Sequence, residues 1–79
     1  MSKLLVVDDE AQIRNIIRKY GEFEGYEIAE AVDGMDAIEK CRKDQFDLII
    51  MDIMMPNLDG FSAVKKIREE ASTPVIMLS

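Results

Sequence analysis

Three aspartates in this chain stand where a carboxylate needs a reason. Asp8 and Asp9 directly follow the apolar run "KLLVV" (3–7), and Asp52 follows "FDLIIM" (46–51). Burying a lone carboxylate is costly, so an acid at the end of such a run is either a turn residue or a chemical group. Ser79 stands in the same relation to "TPVIML" (73–78). If these runs are parallel strands, their ends share one edge of the sheet, and the three acids and the hydroxyl converge on one crevice. Like charges this close raise one another's pKa unless a cation is present. A hard divalent ion suits such a set, since Mg²⁺ prefers carboxylate, carbonyl and water oxygens in an octahedron. Taken singly, Asp8 or Asp9 could be a cap or turn residue, roles that Asp favours. Taken together at one sheet edge, they read as a site.

The elements between them support that placement. "KLLVV" is short, apolar and partly β-branched, the pattern of a strand buried on both faces. From Glu10, Ile13, Ile16, Ile17 and Tyr20 fall at i, i+3, i+4 and i+7, which predicts an amphipathic helix with Arg14, Arg18 and Lys19 outside. Gly21 and Gly25 are expected to break it. "YEIAEA" (26–31) alternates, with Tyr26, Ile28 and Glu30 on one side, as in a half-covered edge strand. Asp33 can cap a second helix from Gly34 to about Arg42 that buries Ala37, Ile38 and Cys41. "FDLIIM" is a second fully buried strand. Asp59 can cap a third helix with Gly60, Ala63, Val64, Ile67 and Ala71 on one face, and Pro74 fits the first position of a fourth strand. Alternation of this kind predicts a doubly wound parallel sheet with right-handed crossovers. Strands 3–7 and 46–51 are the expected central neighbours, which puts a switch point between them.

Composition narrows the function. Seventy-nine residues, 48% hydrophobic and 33% charged, suit one small globular domain. A chain this short buries roughly 60% of its unfolded surface, so its stability is expected to be marginal. The net charge of -6 argues against nucleic acid or an anionic membrane as partner. No run approaches the roughly 20 apolar residues of a membrane span. One cysteine and no histidine exclude an internal disulfide and His-based catalysis, and a reduced cytoplasmic setting is expected. Cys41 reads as a small buried hydrophobe, and Met51 and Met77 read as core filling.

"LLVVDDE", "MDIMMPNLDG" and "TPVIMLS", in this order and spacing, resemble the receiver domain of bacterial two-component response regulators. "RKYGEFEGYEIAEAVDGMDAIE" is similar to the stretch found in regulators with a winged-helix effector. The resemblance implies a flavodoxin-like fold and a phosphoacceptor function. Carried over by position, Asp52 takes a phosphoryl group from a sensor histidine kinase or a small phosphodonor. Asp9 binds Mg²⁺ directly, Asp8 acts mainly through water, and the Met54 backbone carbonyl supplies another ligand. Ser79 hydrogen-bonds the phosphoryl group. Phosphoryl transfer needs in-line positioning and charge neutralisation more than acid-base groups, which matches the parts. The module is expected to be an acceptor rather than a turnover enzyme.

The resemblance also has an edge. A complete receiver has five strands and five helices, whereas this sequence matches up to the fourth strand, implying a truncated (βα)3β receiver over 1–79. Its strand order would be 2-1-3-4, without the last helix-strand-helix, its lysine or an effector domain. "PVIML" would then be an apolar edge strand, so self-association is expected, with weakened Mg²⁺ binding and phosphorylation. An inactive, self-associating fragment is the alternative reading. Gly21 departs from the large aliphatic usual in relatives, at an expected cost of about 1 kcal/mol in a helix interior, with space left unfilled. Two other readings fit poorly. A haloacid-dehalogenase-like phosphatase needs a second acid where Met54 stands, and an ATPase needs a G-x-x-x-x-G-K-[ST] loop that is absent.

Overall fold

The computed structural model describes residues 2–53, 55 and 60–78. Within them the chain runs β1 (Lys3–Val7), α1 (Ala11–Phe23), β2 (Glu27–Ala31), α2 (Gly34–Lys43), β3 (Leu48–Asp52), α3 (Gly60–Glu70) and β4 (Val75–Leu78). The strands form one parallel sheet in the order β2-β1-β3-β4, as the alternation predicts. In register, Val7 pairs with Ala31 and Met51, and Asp52 pairs with Leu78. The carboxyl ends of the four strands therefore lie on one rim. The expected cap Asp59 lies outside the described residues.

The two faces of the sheet are covered unequally. On one, Leu5, Val7, Ala31, Ile49 and Met51 pack with Ala37 and Ile38 of α2 and with Ala63 and Ile67 of α3. Phe46, just ahead of β3, closes this core, and Cys41, Val64, Val75 and Met77 pack against it. Burial pushes the Cys41 thiol pKa up and the charge of Glu70 adds to it, which suits a hydrophobic role. The other face carries a smaller cluster of Leu4, Val6 and Ile28 with Ile17, Leu48 and Ile50 half-buried beside it. Among the described residues only α1 stands over this second face, and none of its residues is fully buried.

In α1 the structure differs from three expectations. The periodic set Ile13, Ile16, Ile17 and Tyr20 predicts a buried stripe, yet Ile16 is 53% exposed and Tyr20 73%. Periodicity puts these residues on one side of the helix, but among the described residues only the Ile17 flank meets the sheet cluster. The helix also does not break at Gly21. It continues to Phe23 and closes at Gly25, whose φ of 91° is in the left-handed region open to glycine. The closure is a Schellman motif: Tyr26 N–H donates to the Gly21 carbonyl at 2.9 Å, and Gly25 N–H to the Glu22 carbonyl at 3.0 Å. Nor is the space beside Gly21 empty, because a Cβ there would lie 3.0 Å from Ile28 Cγ1. Ile28 of β2 occupies the room that a larger residue on α1 would take.

The second helix begins as the sequence predicts. Asp33 Oδ1 accepts from Asp36 N–H at 2.8 Å, and Asp36 Oδ2 reaches back to accept from Val32 N–H at 3.0 Å. This exchange resembles a capping box with aspartate in both roles. No helix among the described residues is long and apolar enough to cross a membrane.

Candidate functional site

Each acid reaches the rim for a backbone reason. β1 stays paired through Val7, and Asp8 N–H still donates to the Ala31 carbonyl at 3.2 Å. Asp8 therefore leaves the sheet at its centre and remains buried, at 7% exposure. Its Oδ1 accepts from Glu10 N–H at 2.9 Å, which folds the chain into the turn that starts α1. Asp9 and Glu10 follow on the exposed side of that turn. Asp52 is the last residue of β3, and the next N–H, that of Ile53, donates to the Leu78 carbonyl at 2.9 Å. It ends the strand from inside, whereas the sequence pattern puts it just after.

Asp8, Asp9 and Glu10 each offer a carboxylate oxygen within 4.8 Å of the others. Asp52, at the end of the neighbouring strand, stands outside this group but near enough for its charge to act on Asp8. The Asp8 carboxyl is pushed above the usual carboxylate range, first by burial and then by the charges of Asp52 and Asp9. The hydrogen bond from Glu10 and the charge of Arg14 oppose that shift without cancelling it. Like charges gathered around a buried carboxyl form a site that a cation would relieve. The donors are hard oxygens, so the residues fit Mg²⁺ by their chemistry.

Of the residues the sequence singles out, Asp8 and Asp9 come together, and Asp52 lies near enough for its charge to act on Asp8. Met54 and Ser79 lie outside the described residues. Glu10 was passed over as a helix start, although "DDE" shows it beside the other two acids. It occupies the N-cap position of α1 in extended backbone, yet its side chain makes no capping hydrogen bond. Arg14 was read only as an outside residue of its helix, and Glu30 only as one side of an edge strand. Arg14 Nη1 donates to the Asp8 carbonyl at 2.7 Å, and its Nε donates to Glu30 Oε1 at 2.9 Å. No spacing rule links positions 14 and 30, because the contact crosses from a helix to a strand.

Gly60 fixes the far wall. Its N–H donates to the Ile53 carbonyl at 2.9 Å, and a Cβ on it would lie 2.8 Å from Ile53 Cα. A separate cleft of about 590 Å³, lined in part by Arg42, Phe46, Glu70 and Thr73, opens at the amino ends of β3 and β4. It is far from the acids and is bridged by the Arg42–Glu70 ion pair, with Nε–Oε1 at 2.8 Å.

Comparison with known proteins agrees with this geometry. The transcriptional regulatory protein ResD of Bacillus subtilis (strain 168) is 50% identical over 78 residues, which cover 99% of this chain and 32% of ResD. SrrA of Staphylococcus aureus (strain NCTC 8325 / PS 47) is 40% identical, again over 99% of this chain and 32% of its own. Among solved structures, the chemotaxis protein CheY4 of Vibrio cholerae overlays with a TM-score of 0.93 at 40% identity, over 98% of this chain and 67% of that one. TrrA of Thermotoga maritima, solved in complex with Mg(2+)-BeF, overlays with a TM-score of 0.92 at 37% identity, over 98% and 68%. The chain thus spans about a third of the curated relatives it matches and about two-thirds of the solved chains. The model of the response regulator receiver domain matches residues 4–79, and the chain belongs to that family.

Proposed function

We propose that this chain is the phosphoacceptor part of a two-component response regulator, with Asp52 as the residue phosphorylated. Its carboxylate oxygen forms a bond to phosphorus as the phosphorus–nitrogen bond of a kinase phosphohistidine breaks and the imidazole leaves. With a small donor such as acetyl phosphate, acetate leaves instead. Asp9 and Asp52 would hold Mg²⁺ with the Met54 carbonyl, Asp8 would act mainly through water, Glu10 stands beside them, and Ser79 would hold the phosphoryl group. The ion, when bound, neutralises charge on the phosphoryl oxygens. Asp52 is positioned by the Ile53–Leu78 hydrogen bond and by Gly60, so the nucleophile arrives on a rigid strand end.

The observation that carries this reading is the placement of the acids: Asp8 lies buried at the sheet rim in one group with Asp9, and the register of β1 against β3 brings Asp52 beside it. The Mg(2+)-BeF complex of TrrA, a structural relative, supports it from outside. The test is phosphate incorporation from acetyl phosphate with Mg²⁺, read by intact mass. The wild-type chain should gain a base-labile phosphate and Asp52→Asn should not. An equal gain in both would refute the assignment.

A second property has its own support. Among the described residues β4 is the outer strand of the sheet, with Ile76 50% and Leu78 42% exposed. Apolar edges recruit other chains, so self-association through β4 accompanies the phosphoacceptor role.

A further inference from the structure

Arg14 engages two acceptors at once. Its Nε sits on Glu30 Oε1 of β2 and its Nη1 on the carbonyl of Asp8, just past β1. The side chain is only 14% exposed. Arg18 approaches the other oxygen of the same carboxylate, with Nε 2.7 Å from Glu30 Oε2. One acid on β2 thus gathers two guanidinium groups from α1, and one of them continues to the turn that presents the acids. On its other side, that turn is tied by the hydrogen bond from Glu10 N–H to Asp8 Oδ1. Both the carbonyl and the carboxylate of Asp8 are therefore held.

We propose that Arg14 is a positioning residue for the divalent-cation site. From its seat on Glu30 it holds the Asp8 carbonyl, fixing the turn that carries Asp8 and Asp9, and so sets the affinity of those acids for metal. It touches neither the ion nor the phosphoryl group and acts through Asp8. The planar fork is essential, since a lysine ammonium is a point charge and cannot present two donors in fixed directions. Groups one step beyond metal ligands commonly change affinity by roughly 10–100-fold.

The sign of the effect separates positioning from charge. Arg14 is a cation beside the acids, and acting by charge alone it would repel an incoming metal ion, so its loss would tighten binding. Positioning demands the opposite. It also demands that charge be insufficient, so that Arg14→Lys fails although the net charge is kept.

The inference rests on the acids being a metal site, and the experiment tells the two claims apart. Mn²⁺, standing in for Mg²⁺, is titrated into the 79-residue chain and counted by electron paramagnetic resonance. Circular dichroism melting is recorded on every variant. Arg14→Lys and Arg14→Gln are expected to stay folded at the assay temperature and to bind Mn²⁺ roughly tenfold more weakly. Arg18→Lys, at a residue that meets Glu30 but not Asp8, should bind as the wild type does. Unchanged affinity in Arg14→Lys, or tighter binding in Arg14→Gln, overturns the inference and leaves the site standing. Wild-type binding that Asp9→Asn does not weaken removes both. Should Arg14→Gln unfold, Arg14→Lys alone decides.

Discussion

Gly60 lies directly against the backbone of Ile53, donating its N–H to the Ile53 carbonyl at 2.9 Å and leaving no room for a Cβ beside the Ile53 Cα. The carbonyl of Asp52 crowds the same spot. The neighbours are backbone, not the tip of a side chain, so they cannot yield without moving the end of β3. Gly60→Ala is therefore expected to cost about 1–3 kcal/mol, the range for overpacking a tight site. Urea denaturation checks this, and a stability equal to wild type would contradict it. Gly21→Ala meets only the flexible end of Ile28, so it should be tolerated far better.

Asp8 is a buried acid surrounded by other acids, so the fold carries it at a cost when metal is absent. Asp8→Asn should melt at a higher temperature than wild type in chelator-treated buffer. Mg²⁺ should raise the melting temperature of the wild type and move the variant much less. A ligand at 100 times its Kd stabilises by about 2.7 kcal/mol, which sets the scale of the wild-type shift. Differential scanning calorimetry with and without Mg²⁺ reads both effects, and equal Mg²⁺ shifts in the two proteins would contradict the placement of Asp8.

Asp36 gives the fold an acid-sensitive element away from the site. Burial pushes its carboxyl up, but the Val32 N–H and the Lys40 ammonium outweigh burial, and the net shift is downward. A carboxyl lowered on folding stabilises the chain above its unfolded pKa, near 3.8, and that contribution is lost as pH falls through the folded value. Asp36→Asn should thus be less stable than wild type at neutral pH, with the difference shrinking as pH drops below about 4. Melting temperatures collected from pH 7 down to pH 3 test this. A constant gap across that range would count against the ion pair and cap.

Self-association through β4 should respond to a charge on its exposed side. Ile76 faces away from the main core, whereas Val75 and Met77 pack against it. Ile76→Lys is therefore expected to lower the sedimentation-average mass without unfolding the chain, since a lysine on an edge is a natural block to pairing. A wild-type chain that sediments as a monomer at millimolar concentration would end this part of the account.

Much of the architecture was legible in the sequence because it rests on short-range regularities. Short apolar runs, one alternating stretch and helical periodicity mark the strands and helices, and the Asp33 cap reads directly from its position before "GMDAIE". The acids at 8, 9 and 52 could be grouped because parallel pairing carries strand ends to one rim. Less legible was whatever depends on what stands opposite. Ile13, Ile16 and Tyr20 share a helix side, but periodicity cannot say whether another element covers it. Gly21 reads as a helix breaker, and only the position of Ile28 and the left-handed Gly25 explain why the helix runs on. The Arg14–Glu30–Asp8 strap was missed because it joins three elements by side-chain reach, and no spacing rule links positions 14 and 30.

In the proposed site Asp8, Asp9 and Asp52 share one cation at the carboxyl rim of the sheet, and paramagnetic broadening tests that most directly. Substoichiometric Mn²⁺ added to the isotope-labelled chain should bleach the amide signals of Asp8, Asp9, Glu10, Asp52 and Ile53 first. Those of Phe46, Ser72 and Thr73, at the opposite rim, should stay sharp. Broadening spread evenly over the surface acids, or confined to 8–10 with Asp52 untouched, would contradict the shared site.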